Sequence, residues 1–124
     1  MKLNVCKIVT FDSAHRLPNY NGPCANLHGH QWVLEVEVSG EADPETGMVI
    51  DFVVLKDLLK TKIVDKLDHS YINDSFTNPT AENMVQSFVA LIELHFGWCA
   101  ITLERIRLYE TPTSFCEWRR EAVE

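Results

Sequence analysis

The stretch Gln31–Ser39, QWVLEVEVS, decides the fold. Trp32, Leu34, Val36 and Val38 fall on one side of an extended chain, and Glu35, Glu37 and Ser39 on the other. That period-two pattern is the mark of a strand with one face in a core and one face polar. Upstream, LNVCKIVTF (residues 3–11) is rich in β-formers and reads as a partner strand. Residues 12–30 lie between the two, carry Pro18, Gly22, Pro23 and Gly29, and read as a long loop. Downstream, Gly40 to Gly47 is a turn-rich connection. Asp51 is a natural N-cap. Phe52, Leu55, Leu58, Leu59, Ile63 and Leu67 then recur at helical spacing, predicting a helix to about residue 66. Residues 73–79 read as a loop. Thr80 caps a second helix with Met84, Val85, Phe88, Leu91, Ile92 and Phe96 on one face, and Gly97 stands at its C-terminal end. ITLERIRLYE (101–110) reads as a third strand of imperfect alternation. Thr111-Pro112-Thr113 turns the chain into a fourth strand near 114–119. The order ββααββ predicts an α+β fold: a four-stranded antiparallel sheet with two helices on one face. The βαβ alternation and Gly-rich loop of a nucleotide-binding sheet are missing.

Composition narrows the function. The 124 residues make one domain, 1–124, and an apolar share of 46% is enough for a core, which excludes a disordered tail. No apolar run approaches the ~20 residues of a membrane span, and residues 1–5 alternate at once instead of forming a signal-peptide core. A cytoplasmic protein with no membrane partner is expected. The net charge of −7, with no basic cluster larger than Arg119-Arg120, argues against a nucleic-acid partner. The four cysteines form no C-x-x-C pair. Cys6, Cys99 and Cys116 sit in or beside apolar patterns and read as buried, inert thiols. Cys24 alone lies in the Pro/Gly-rich loop.

That loop holds three of the five histidines. Antiparallel strands need only about two to five residues to connect, and a loop beyond ~12–15 residues in a compact domain usually carries function. His28 and His30 are spaced i, i+2, so in extended chain both rings share a face. His15 lies just past the first strand. If the two strands pair as a hairpin, the loop ends meet and His15 comes beside His28 and His30. Three imidazoles on a rigid base are the protein half of a catalytic zinc site, with the fourth position open. His95, near the end of the second helix, reads as structural.

Three other features could carry proton chemistry. A loop can bring the Cys24 thiol near the metal, where its pKa would fall; it is equally readable as a free loop cysteine. Asp68-His69 follows the first helix, and an Asp–His pair commonly orients a general base; an exposed helix-end aspartate beside an incidental histidine has the same sequence. Glu110 ends a strand, either as a solvent-facing cap or as a carboxylate able to take a bidentate pair from an amidine-like edge.

Together these residues resemble the 6-pyruvoyl-tetrahydropterin synthase superfamily, and within it the 6-carboxy-tetrahydropterin synthase branch of the queuosine and deazaguanine pathway. The matching segments are FDSAHRLP (11–18), C-x-x-x-H-G-H (24–30), GMVIDF (47–52), LDHSYIND (67–74), NPTAEN (78–83) and YET (109–111), in that order over nearly the whole chain. The gap between Cys24 and the H-G-H is that of the carboxy branch; it is longer in the pyruvoyl branch, and a third branch has glutamate for the cysteine. The resemblance implies that His15, His28 and His30 bind zinc. It implies that Cys24, Asp68 and His69 transfer protons, that Glu110 anchors the pterin edge, and that Thr80, Glu82 and Thr111 line the pocket. It further implies a tunnelling fold, in which three four-stranded sheets join into a barrel and two trimers stack into a hexamer with active sites between subunits. The implied reaction is lyase chemistry on 7,8-dihydroneopterin triphosphate, giving 6-carboxy-5,6,7,8-tetrahydropterin, acetaldehyde and triphosphate. The rival expectations are the pyruvoyl synthase reaction, in which triphosphate leaves but the side-chain carbons stay, and a non-catalytic pterin- or zinc-binding module.

Overall fold

The structure is a computed structural model and describes residues 1–97 and 99–122. Its centre is a long hairpin. Strand β1 (Lys2–His15) and strand β2 (His28–Glu41) are each 14 residues long and pair antiparallel from Lys2↔Glu41 to His15↔His28. The connecting loop, residues 16–27, is therefore shorter than the 12–30 span expected from sequence. Asp12, Ser13, His28, Gly29 and His30 are poor β-formers, yet the ladder carries straight through them. Tertiary bonds hold this end: Ser13 Oγ donates to the Ser70 carbonyl at 2.7 Å and Trp32 Nε1 to the Ser13 carbonyl at 3.3 Å.

Helix α1 (Phe52–Leu59) is capped by the Asp51 carboxylate, which accepts from Val53 N at 2.8 Å. It continues through a π-turn (Lys60–Val64) into a last turn, α2 (Asp65–Leu67). Strand β3 (Ser70–Tyr71) follows, then helix α3 (Ala81–Phe96), capped by the Thr80 hydroxyl, which accepts from Asn83 N at 3.1 Å. Gly97 ends α3 in ordinary helical conformation, without a left-handed cap. Strands β4 (Thr102–Thr111) and β5 (Ser114–Arg119) close the described chain.

The sheet order is β3-β1-β2-β4-β5, with β3 parallel to β1 and every other pair antiparallel. The expected four-stranded antiparallel sheet is thus a five-stranded mixed one, and in the single chain it is open, not closed into a barrel. A two-residue strand leaves no periodic trace in a sequence, which is why β3 was not anticipated. The irregular alternation of residues 101–110 has a structural cause. The register shifts between Glu37 and Val38, so Leu103 and Ile106 both face inward with a bulge between them.

The inner face of the sheet presents Phe11, Trp32, Leu34, Val36, Val38, Leu103, Ile106 and Leu108 to the helices. These contribute Leu55, Leu59 and Ile63 from one side and Met84, Phe88 and Ile92 from the other. The outer face is charged and self-paired. Arg105 lies 3.1 Å from Glu35 and 3.4 Å from Glu37, and Arg107 lies 2.8 Å from Glu117, which it holds below the usual carboxylate pKa range. All four thiols are free. Cys99 is exposed, and Cys6 and Cys116 are only half-buried, so none of the three is fully enclosed as expected. No helix among the described residues is long and apolar enough to cross a membrane.

Trp32 is fully buried and stacks its ring parallel to Phe11. Trp32→Ala is expected to lower the unfolding free energy by about 3–5 kcal/mol in a denaturant titration. Leu94→Ala, at a position 79% exposed, should move it by less than about 0.5 kcal/mol.

Candidate metal centre and active site

At the loop end of the hairpin the inward-facing positions change from apolar residues to histidines. His15 pairs with His28 across the ladder, and His30 and Trp32 follow on the same side of β2. His15 is completely buried. The Trp32 ring meets His15 and His30 edge-on, with centroids 5.0 and 5.5 Å away, so the cluster rests on an apolar floor.

The rings are held by their outer nitrogens. His15 Nδ1 is 2.9 Å from the Pro79 carbonyl, and His28 Nδ1 is 2.7 Å from the Asn26 carbonyl. A carbonyl oxygen only accepts, so both Nδ1 atoms carry the proton and donate it. The Nε2 atoms of the neutral rings then present lone pairs, and these converge: His15 Nε2 and His28 Nε2 stand 3.0 Å apart. His30 Nε2 is buried with no hydrogen-bond partner. Burial is the main force lowering the His30 pKa. The neighbouring His28 and His15 lower it further, and Glu110 opposes them. Lone pairs facing one another and an orphaned buried nitrogen are unfavourable unless a cation lies between them. The donor set suits a divalent metal that accepts imidazole, with carbonyl-bound Nδ1–H groups fixing each ligand's orientation.

Glu110 completes the cluster. Its Oε1 lies 3.1 Å from His15 Nε2 and 3.5 Å from His30 Nε2, and the four donors of His15, His28, His30 and Glu110 lie within 4.8 Å of one another. From sequence this carboxylate was a cap or a substrate anchor; in the structure it shares the metal position. An open cleft of about 530 Å³ reaches the cluster from the outer side of the sheet. His30, Glu110 and Thr111 line it, together with Gln31, Tyr109 and Pro112.

The other expected site residues lie apart. Cys24 sits in a single 3₁₀ turn (Pro23–Ala25), half-buried, with its carbonyl accepting from Leu17 N at 2.9 Å; its thiol is outside the donor cluster. Thr80 is the α3 cap, and Glu82 is exposed in the first turn of that helix, near enough to Cys116 to add to the upward push that burial gives its thiol. Neither lines the cleft. Asp68 and His69 form a second cluster with Asp12. Asp68 Oδ1 accepts from Asp12 N at 2.9 Å, and its other oxygen meets His69 Nδ1 at 3.0 Å. The Asp12 N–H, and secondarily His69, hold the Asp68 pKa below the usual carboxylate range. The pair is oriented as expected, with the His69 ring mostly exposed, but within one chain it is not assembled with the three histidines. The Pro79 and Asn26 carbonyls and Asp12 were invisible from sequence. Backbone oxygens carry no residue signature, and an aspartate on a strand carries no pairing signal.

Residues 4–121 match the family described as 6-pyruvoyl tetrahydropterin synthase. A protein of Haemophilus influenzae named 6-carboxy-5,6,7,8-tetrahydropterin synthase is 35% identical, over 93% of this chain and 97% of its own length. A Dictyostelium discoideum protein named 6-pyruvoyl tetrahydrobiopterin synthase is 30% identical over 90% of this chain and 91% of its own. The solved 6-pyruvoyl tetrahydropterin synthase of Caenorhabditis elegans superposes with a TM-score of 0.84 at 25% identity, covering 98% of this chain and 97% of that one. The shared sheet-and-helix framework, the histidine cluster on its central hairpin and a family match over nearly the full length agree: the chain belongs to the 6-pyruvoyl tetrahydropterin synthase family.

Proposed function

We propose that this protein is a cytoplasmic zinc-dependent carbon–carbon lyase. It would convert 7,8-dihydroneopterin triphosphate to 6-carboxy-5,6,7,8-tetrahydropterin with release of acetaldehyde and triphosphate, serving queuosine and deazaguanine synthesis. The observation that carries the reading is the convergence of three imidazole Nε2 atoms whose Nδ1 protons are already committed to carbonyls. The 6-carboxy name of the Haemophilus relative supports the product.

His15, His28 and His30 would hold the zinc. Bound there, it supplies Lewis-acid polarisation of side-chain oxygens and a template for their orientation, without redox change. The chain's own residues move the protons. Cys24, flexibly carried on the loop between β1 and β2, takes the carbon-bound proton beside the metal. His69, oriented by the Asp68 carboxylate at 3.0 Å, returns it. Glu110 and Thr111 receive the pterin edge in the cleft, with Thr80 and Glu82 contributing from α3. Asp68-His69 stands apart from the histidines in one chain, and this supports a site completed by a neighbouring copy. The outer edge of β5 and most of β1 are unpaired within the described chain, so such copies have edges to join: three sheets closing a barrel, and two trimers stacking as a hexamer.

A second reading, the 6-pyruvoyl synthase reaction, is favoured by the Dictyostelium relative's name. Product identification separates the two. Zinc-loaded protein incubated with 7,8-dihydroneopterin triphosphate should yield acetaldehyde and carboxy-pterin by mass spectrometry. Pyruvoyl-pterin without acetaldehyde would favour the second reading, and no turnover would remove both.

Cys24→Ala should cut turnover by at least about 100-fold while metal analysis still finds one ion per chain. A variant that keeps full turnover would assign the cysteine no part in the chemistry. Acid should release the metal. Because burial depresses the His30 pKa, the folded apo-chain binds fewer protons than the unfolded one below the unfolded histidine value of about 6.5. Its stability therefore falls as pH drops through that value toward the lower folded one. Metal binding, which needs neutral imidazoles, should weaken over the same range. Metal content after dialysis between about pH 7.5 and pH 5 checks this; retention unchanged at the acid end would contradict it.

A further inference from the structure

Glu110 occupies an unusual position for a residue that greets substrate. Its Oε1 is 3.1 Å from His15 Nε2 and 3.5 Å from His30 Nε2, and the two facing histidine nitrogens are 3.0 Å apart. A tetrahedral zinc site with bonds of about 2.0–2.1 Å has donor–donor edges of about 3.3 Å. All three separations fall close to that value. The four side chains thus form a closed donor set, although a catalytic centre is expected to have three protein ligands and an open position.

Nothing else in the described chain holds the carboxylate there. No backbone N–H and no Lys, Arg, Ser or Thr side chain among the described residues donates to Glu110; its contacts are the ring nitrogens of His15 and His30. His15 Nδ1 has already donated its proton to the Pro79 carbonyl, so its Nε2 is an acceptor facing another acceptor. A half-buried carboxylate set against lone pairs requires a cation at the centre.

The backbone explains how the carboxylate gets there and how it can leave. The β4–β5 register shifts between Tyr109 and Thr111, so Glu110 is the extra residue of a bulge, outside the β4–β5 ladder. Bulges re-aim side chains and loosen the ladder locally. Of the four donors, His30 and Glu110 line the cleft, whereas His15 is sealed. The Glu110 side is the one from which a ligand can be exchanged.

We propose that Glu110 is the fourth ligand of the resting metal centre and closes it until an incoming molecule in the cleft displaces the carboxylate. The proposal rests on the metal reading above and deepens it. Ligation at rest and anchoring of substrate become two successive positions of one side chain. Until the exchange, water and small anions are kept off the metal.

The test uses the full chain loaded with one equivalent of Co²⁺, whose visible absorption reports its ligands, and azide as a small anionic probe. The wild type should show the intense spectrum of a four-coordinate site that does not change on azide addition. Glu110→Ala should bind Co²⁺ at least about 10-fold more weakly in a chelator competition and respond to azide with a saturable spectral change. Glu110→Gln, nearly isosteric, gives the same comparison if the alanine variant does not fold, with circular dichroism as the check. A wild-type site that takes up azide as the variant does, or a variant with wild-type Co²⁺ affinity and spectrum, would overturn the role of Glu110 and leave the three-histidine reading intact. A folded wild-type chain that binds no Co²⁺ would overturn the metal reading itself.

Discussion

His15 faces His28 because β1 and β2 are locked in one antiparallel register from Lys2↔Glu41 to His15↔His28. Side chains alternate with period two, so a slip of one residue would send His15 to the outer face while moving Phe11, Val9 and Val5 out of the core. The apolar pattern that forbids this slip lies tens of ångströms of chain away from the histidines. Phe11 stacked on Trp32, with Leu34, Val36 and Val38 beyond, makes the register energetically unique. The metal centre is the last inward-facing layer of the same hairpin that builds the core.

This explains what could be read from sequence. The alternation of residues 31–39, the two helical stripes with their Asp51 and Thr80 caps, and the histidine triad are all periodic or local signals, and each stands in the structure as expected. What escaped is non-periodic. The two residues of β3 are fixed by pairing with Ser13 and Ala14, not by their own propensity. The bulge in β4 was seen only as poor alternation. The position of Glu110 depends on a register shift that no residue type announces, and the groups that orient His15 and His28 are main-chain oxygens. Polar ends of strands read as loop because propensity ignores the ladder they continue.

Charge was similarly half legible. The net −7 gave no hint of a partner, but the structure shows how part of it is internally balanced. Glu35, Glu37 and Glu117 interleave with Arg105, Arg107 and Arg119 on the outer face of the sheet, three of each sign. The acidic excess lies elsewhere on the molecule. A sheet face this well compensated can be covered at low electrostatic cost, which matters in a chain whose sheet is open at both edges.

The link between α2 and β3 turns on His69, which alone among the described non-glycine residues has a positive φ, 55°. Its N–H reaches the Asp12 carbonyl and its ring meets Asp68, so the left-handed backbone and the side chain are used at once. Glycine would relax the backbone and lose the ring; a β-branched residue would fit neither. The site is thus doubly constrained, by conformation and by chemistry. Evolutionary drift there has almost no neutral direction, and an exposed position that would ordinarily vary freely becomes one of the most restricted in the chain.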